Sequence, residues 1–404
     1  MKVSAGKRIL MLLENCTYRE DNRVQREART LTEAGYSVTV ICPRHPDYAW
    51  HEVVDGVRVY TFPEPPDGNG LVGYLAEYGQ AGAGSALLAH FIYLSDGFEV
   101  VHAHNPPDLF VFIGGLYKLL GKKFIYDHHD LSPEMYYARF RGQGNPLVHR
   151  VLVWLEQLSC RTADHVIATN ESYKQLQIER SGIPAEKITI VRNGPDPKRV
   201  RLVAPDERLR AMGKTIIGYV GVMGYQDGVD YYLRALHHLV YNLHCTNVYS
   251  VLIGQGDAWQ ELQHLAQELN LTEYVWFTGR VSDEELMRYL SSADMCVGPD
   301  PKNDFTDRST MIKMMEFMTL GKPIVAFDLT EHRNSAGDAA LYAEPNDEAD
   351  FARHMLRLIN DPALREAMGR IGQERVRSQL EWRHQAPHLL DVYQQLFAEE
   401  AVPK

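Results

Sequence analysis

Residues 308 to 323 read R-S-T-M-I-K-M-M-E-F-M-T-L-G-K-P and run into the apolar stretch Ile324, Val325, Ala326, Phe327. Ser309 and Thr310 are placed to cap a helix start, and Gly321 followed by Pro323 would stop it. Lys313 and Glu316 stand three apart and so share one helix face. Met314, Met315, Phe317, Met318 and Leu320 supply the buried side. A cation and a carboxylate early in a capped helix suit a phosphate and a sugar hydroxyl. The helix N-terminus adds free N–H groups and the positive end of its dipole. A surface helix with an ordinary intrahelical Lys–Glu pair would read the same way.

Other stretches carry chemistry of the same kind. Gly218-Tyr219-Val220-Gly221-Val222-Met223-Gly224 follows an apolar run, and the backbone N–H groups of such a loop can cradle phosphate. Gly254-Gln255-Gly256 closes another run, but position 259 is Trp, so the third glycine of a dinucleotide fingerprint is absent. That counts against a nicotinamide enzyme. Phe277-Thr278-Gly279-Arg280-Val281 follows. Earlier, Tyr126-Asp127-His128-His129-Asp130 succeeds an apolar run, where an imidazole can donate to a sugar hydroxyl or a phosphate. Twin histidines beside two aspartates could bind a metal, but no cysteine or further histidine cluster accompanies them, so no metal is expected. Of His102 and His104, one is expected to line a wall of the site and the other to be a satisfied core residue. Asp21, Arg23 and Arg26 form a polar first loop, where Arg23 either reaches a phosphate or pairs with Glu20 or Glu27.

These residues need strand ends to hold them. Short apolar runs alternate with helical patterns, the signature of βαβ units and parallel sheets. Strands are expected at Ile9–Leu13, Val38–Cys42, Val57–Phe62, Val100–Ala103, Lys123–Tyr126, Val166–Ala168 and Ile188–Val191. After Asn193-Gly194-Pro195-Asp196-Pro197, which no helix or central strand tolerates, a second alternation begins. Its strands are expected at Ile216–Val220, Tyr249–Ile253, Val275–Thr278, Met295–Val297, Ile324–Phe327 and Ala340–Tyr342. Helices fill the gaps, including 20–35, 147–162, 309–320 and a last one near 384–399. Two doubly wound α/β domains result, residues 1–196 with 384–404 and residues 197–383.

Length and composition agree. The 404 residues are too many for one ordinary domain, and 45% hydrophobic with 24% charged residues is the make-up of a soluble globular protein. A net charge of −11 argues against nucleic acid as a partner. Five scattered cysteines suggest a reducing compartment, hence a cytoplasmic location. No apolar run spans a bilayer. Residues 134–161, however, mix aromatics with Arg139, Arg141, His149 and Arg150, open to peripheral contact with the inner face of a membrane or to an ordinary amphipathic helix.

Taken together, these motifs resemble the retaining GT-B glycosyltransferases of family four, especially those that build bacterial surface or capsular polysaccharide. The order and spacing of Gly254–Gly256, Phe277–Val281 and the Glu316 helix carry the resemblance. It implies two Rossmann-like domains facing a cleft, with the C-terminal helix crossing back to the first. It implies transfer of a sugar from a nucleoside-diphosphate donor, uridine being the commonest base, to a glycan, lipid-linked or small-molecule hydroxyl. No cofactor or metal is implied, and the chain contains no Asp-x-Asp triplet to hold one on a diphosphate. Carried over residue by residue, Glu316 holds the ribose and His129 orients the sugar; Lys313 is expected to hold the diphosphate in place of the family's loop cations, with Arg308 and Arg280 as the other candidates. Gly221, Gly224, Gly254, Gly256, Arg280, Val281, Arg308, Ser309 and Thr310 complete the donor site, and Arg23, His104 and Asp130 face the acceptor. Departures are plain. Val222 and Asp227 stand where the family has an Arg and a Lys, and Arg308 replaces the first of its paired glutamates. A sugar epimerase on the same fold and a non-catalytic nucleotide-sugar-binding homologue are the alternatives.

Overall fold

A computed structural model describes residues 6–45, 47, 49–64 and 70–398, the side chains of 70–77 excepted. The chain divides into two compact units. One comprises Met1–Pro133, Asn145–Asn193 and Arg383–Lys404, the other Glu134–Gly144 and Gly194–Trp382.

The first unit is built on eight strands: β1 (Arg8–Leu12), β2 (Ser37–Arg44), β3 (His51–Val54), β4 (Val57–Pro63), β5 (Val100–His104), β6 (Lys123–His128), β7 (His165–Ala168) and β8 (Ile188–Ile190). Their order in the sheet is β3-β4-β2-β1-β5-β6-β7-β8. Every pairing is parallel except β3 with β4. Ile9, Leu10, Met11 and Leu12 are all buried, as expected of a strand covered on both faces. β3 escapes the sequence pattern because it is a four-residue edge strand with no buried position. The helix Asn22–Glu33 follows β1. Asp21 caps it, its side chain accepting from the N–H groups of Arg23 and Val24. The last helix, Trp382–Ala398, packs in this unit through Tyr393, whose ring lies 5.6 Å from that of Tyr36.

The second unit holds six parallel strands: β9 (Thr215–Val220), β10 (Val248–Ile253), β11 (Val275–Gly279), β12 (Met295–Gly298), β13 (Ile324–Phe327) and β14 (Ala340–Ala343). Their order is β11-β10-β9-β12-β13-β14. In each unit the strand order reverses direction at one point, between β1 and β5 and between β9 and β12. Open parallel sheets bind ligands beyond the carboxyl ends of the strands at such points. The chain enters the second unit at Gly194, where a Cβ would collide with the carbonyl oxygen of Leu380. Trp382 N–H donates to the Pro195 carbonyl at 3.3 Å, so the segments entering and leaving this unit run together.

Residues 134–144, expected in the first domain, belong to the second unit, and the start of one helix also differs from expectation. The helix expected over 309–320 spans Ile312–Thr319, and its N-cap Met311 offers no side-chain acceptor. The Ser309 hydroxyl donates back to the Phe305 carbonyl at 2.7 Å, and Thr310 donates to Glu331 at 3.3 Å. Neither residue caps the helix.

Candidate functional site

In the second unit, β9 delivers the chain into the loop Gly221–Gly228. Gly221 N–H donates to the Ile253 carbonyl at 3.1 Å, and Met223 N–H reaches Gln255 at 3.4 Å. A Cβ at Gly254 would strike the Gly221 carbonyl oxygen, and one at Gly256 would lie 2.7 Å from the backbone of Met223. The glycines of G-x-G are therefore required where two loops touch backbone to backbone. Gly254 also sits at φ +129°, where L side chains are strained.

Asp227 occupies the place where the sequence lacks a cation. Its Oδ2 accepts from Gly224 N–H at 3.0 Å. Burial raises its pKa to about 7, helped by Asp300 and opposed by Lys313. Asp300, just beyond β12, is buried. Lys313 Nζ donates to its Oδ1 at 2.6 Å, and His332 Nε2 lies 3.3 Å from its Oδ2. Burial works against the Asp300 charge, but Lys313 and His332 outweigh it and hold its pKa low. The Lys313 ammonium also stands 5.0 Å from the centre of the Tyr219 ring. Lys313 does not pair with Glu316 along the helix. Glu316 instead accepts from Arg199 at 3.1 Å, while Arg199 Nε also donates to Asp283 at 3.0 Å. Arg308 turns to Asp304, donating to its carbonyl at 3.1 Å. Arg280 is exposed, and Val281 is partly buried against the core.

In the first unit, the ends of β5 and β6 meet the helix after β1. Arg23 is buried there. It donates to both oxygens of Asp127 at 2.9–3.1 Å and to the Val191 carbonyl at 3.1 Å, and it lies 3.1 Å from Glu27. Arg23 and the fully buried His104 were expected to meet the acceptor; both are walled into the core instead. A guanidinium costs too much to bury unpaired, and two internal carboxylates answer it. Burial raises Glu27 well above the ordinary carboxylate range, opposed by Arg23 and reinforced by Asp127. Asp127 goes the other way. Burial disfavours its charge, but Arg23 and the imidazoles of His102, His104 and His129 hold it well below that range. His102 is also buried, its Nδ1 2.7 Å from the Tyr393 hydroxyl.

His129 and Asp130 lie nearer the surface, on a turn that Asn105 holds. Its Oδ1 accepts from the N–H groups of His129 at 2.8 Å and Asp130 at 3.1 Å, and its Nδ2 donates to the Asp130 carbonyl at 2.7 Å. His129 Nδ1 stands 3.5 Å from Asp127 Oδ1. Asn105, Arg199 and His332 contact the candidate residues, and sequence reading did not single them out. Asn105 alone left a signal, beside the histidines of V-V-H-A-H-N-P-P-D.

Arg139 and Arg141, for which membrane contact and an ordinary amphipathic helix were both open, are engaged within the second unit. Arg139 donates to Asp257 at 2.7 Å and Arg141 to Glu261 at 2.8 Å, with the Arg141 guanidinium 4.2 Å from the Tyr225 ring centre.

Comparison with known proteins bears on both units. Residues 21–194 match the domain family described as "Glycosyl transferase 4-like domain", and residues 214–361 match "Glycosyl transferases group 1". The glycogen synthase of Mycobacterium tuberculosis is 25% identical over 388 residues, covering 92% of this chain and 89% of its own. Among solved structures, sucrose-phosphate synthase from Thermosynechococcus elongatus superposes with a TM-score of 0.80 at 20% identity, over 97% of this chain and 100% of its own. Anabaena Alr3699/HepE in complex with UDP and glucose superposes at 0.70 and 17% identity, over 96% of this chain and 99% of its own.

Proposed function

We propose, from the premise that this chain is a family-four glycosyltransferase of the GT-B fold, that it moves a sugar from a uridine diphosphate donor to a glycan hydroxyl, with retention and without a metal on the diphosphate. The matched domains and the glycogen synthase relative are transferases, and nothing among them supports the epimerase alternative. The UDP-bound structural neighbour favours the uridine donor, and the glycan product of the sequence relative favours a sugar acceptor.

The observation that carries this reading is Lys313 among Tyr219, Asp227 and Asp300. The glycine loop has lost its own cation, and the neighbouring helix supplies one. A leaving diphosphate needs fixed positive charge and aligned N–H groups, which act strongly where water is excluded. Lys313 provides the charge; Gly224 N–H would serve the diphosphate once it leaves the Asp227 carboxylate, while Gly221 N–H stays on the Ile253 carbonyl. Glu316 offers the ribose its Oε2, since Oε1 accepts from Arg199. His129 orients the transferred sugar, and Asp130 stands beside it for the acceptor. In the retaining course the acceptor attacks on the face the diphosphate leaves, and the diphosphate takes the proton, so no enzyme nucleophile is required.

Calorimetric titration with UDP, GDP and ADP, with and without magnesium, tests the donor. Magnesium-independent binding of UDP is expected, lost in Glu316→Ala and weakened at least tenfold in Lys313→Ala. Unchanged UDP affinity in Glu316→Ala would refute its role. The anomeric configuration of the product, read by NMR, tests retention.

A membrane acceptor also has a specific observation behind it. No helix among the described residues is long and apolar enough to cross a membrane. Yet three helices of the first unit carry outward apolar stripes at i, i+4 and i+7. These are Leu87, Phe91 and Leu94 on Gly70–Ser95; Phe112, Leu116 and Leu119 on Val111–Leu119; and Leu147, Val151 and Trp154 on Pro146–Thr162. The helices neighbour one another: the Tyr93 and Tyr117 rings lie 5.2 Å apart, and Gly115 packs near Thr162. Exposed apolar stripes on neighbouring helices suit an interaction surface, and we assign this one to a bilayer surface. Co-sedimentation with vesicles, lost in Leu119→Glu/Trp154→Glu, is the expected result. A protein that stays in the supernatant would overturn it.

A further inference from the structure

We propose that Glu27, His102, His104 and Asp127 together bind one divalent transition-metal ion inside the first unit. The four come from three elements: the helix after β1, the end of β5 and the end of β6. All are buried, and one ligand atom from each lies within 4.8 Å of the others.

The pairwise spacing suits a metal. His102 Nε2 lies 3.6 Å from Asp127 Oδ2 and 3.9 Å from Glu27 Oε2, and His104 Nε2 lies 3.9 Å from Glu27 Oε2. With bonds of about 2.0–2.1 Å, neighbouring ligand atoms of a tetrahedral site stand about 3.3–3.4 Å apart. These three pairs would need to contract by a few tenths of an ångström, within a set whose ligand atoms all lie within 4.8 Å of one another. Glu27 Oε2, His102 Nε2 and both nitrogens of His104 are buried without a hydrogen-bond partner. Burying so many unpaired polar atoms is costly unless something sits among them.

The outer atoms of these ligands are held as metal ligands usually are. Tyr393 hydroxyl meets His102 Nδ1 at 2.7 Å; Arg23 lies 3.1 Å from Glu27 Oε1 and donates to both Asp127 oxygens, to Oδ1 at 2.9 Å and to the inward Oδ2 at 2.9 and 3.1 Å. Arg23 is one positive charge facing two carboxylates, which leaves room for a cation. Two imidazoles with two carboxylates suit zinc, manganese or iron(II) rather than calcium or magnesium. Such an ion would pin the helix after β1 to the ends of β5 and β6, beneath His129. This inference does not depend on the donor reading, since every ligand lies in the first unit.

The full-length protein, expressed without a histidine tag and purified without chelator, would be analysed for metal by mass spectrometry. It would then be stripped and titrated with cobalt(II) chloride alone. The expected result is close to one equivalent of tightly held metal and a visible cobalt d–d band saturating at one equivalent. The band is lost in His104→Ala and in Glu27→Gln and kept in His264→Ala, which changes an exposed histidine. Wild-type protein with neither metal nor cobalt band would overturn the proposal, leaving a proton on Glu27 or a buried water as the neutralising group. So would a folded His104→Ala variant, checked by circular dichroism, that keeps the same band.

Discussion

Asp227→Asn tests the charge logic of the donor half most directly. The Asp227 carboxyl titrates near 7 in the folded protein, against an ordinary value of 3.8, because burial and Asp300 disfavour its charge more than Lys313 favours it. The folded state therefore binds a proton between pH 4 and pH 7 that the unfolded chain has released. Stability must fall as pH rises through that window. Three units at 1.36 kcal/mol each give an upper bound of about 4 kcal/mol. Asp227 keeps partial exposure, so solvent screening trims this to about 2–3 kcal/mol. Asparagine removes the charge, and its carbonyl can still accept from Gly224 N–H. Chemical denaturation of both proteins at half-unit steps from pH 4 to 8 should show equal stability at the acid end. The variant should gain about 2–3 kcal/mol at pH 8. UDP should also bind the variant more tightly at pH 8 and equally at pH 5, since the same carboxylate repels a diphosphate only when ionised. Parallel stability curves across the range would show that Asp227 is solvated and ordinary, and the reasoning from burial would fail.

Arg23→Met should destabilise the first unit by about 3–5 kcal/mol, read by thermal melting, because it strands Asp127 and Glu27 without their cation. A loss under 1 kcal/mol would mean that the carboxylates are neutralised by another group. Asn105→Ala leaves the N–H groups of His129 and Asp130 without their acceptor and should cost about 2–4 kcal/mol; a drop in kcat larger than the change in UDP affinity would show that the turn positions the sugar rather than the nucleotide. Gly254→Ala should weaken UDP binding and lower the melting temperature together, because its Cβ forces the two glycine loops apart. An unchanged melting temperature would mean that the loops do not pack as described.

The strands were legible because they are buried on both faces and so read as unbroken apolar runs, as Ile9–Leu12 and Ile324–Phe327 show. The helix start after Arg308 was not, because a Ser or Thr hydroxyl has several nearby backbone acceptors and sequence cannot choose among them. Ser309 bonds backward to Phe305, and the helix waits until Ile312. Charged partners were harder still. Lys313 has a glutamate one turn away, yet it binds Asp300 from the strand end before it; Glu316 takes Arg199, 117 residues earlier. A buried charge takes the partner that desolvates with it, and that choice is made by the sheet rather than by the helix period.

The same reasoning explains why the missing cations of the donor loop do not by themselves argue for an inactive protein. In each unit a carboxylate at or just beyond the carboxyl end of a strand is buried and clamped by a cation from a helix: Asp127 by Arg23 in the first, Asp300 by Lys313 in the second. In the first unit the clamp is closed, since Arg23 is enclosed and bound to two acids and a carbonyl. In the second it is partly open. Lys313 has a single salt-bridge partner among the described residues, and Asp227 beside it gives up its charge near neutral pH. An anion reaching Lys313 would compete with one carboxylate, Asp300, while Asp227 could take up a proton to accommodate it. A loop lysine in place of Asp227 would bring its own charge without this linkage. The substitution therefore changes how the cation is presented and ties it to pH, while leaving one positive charge within the glycine loop's surroundings.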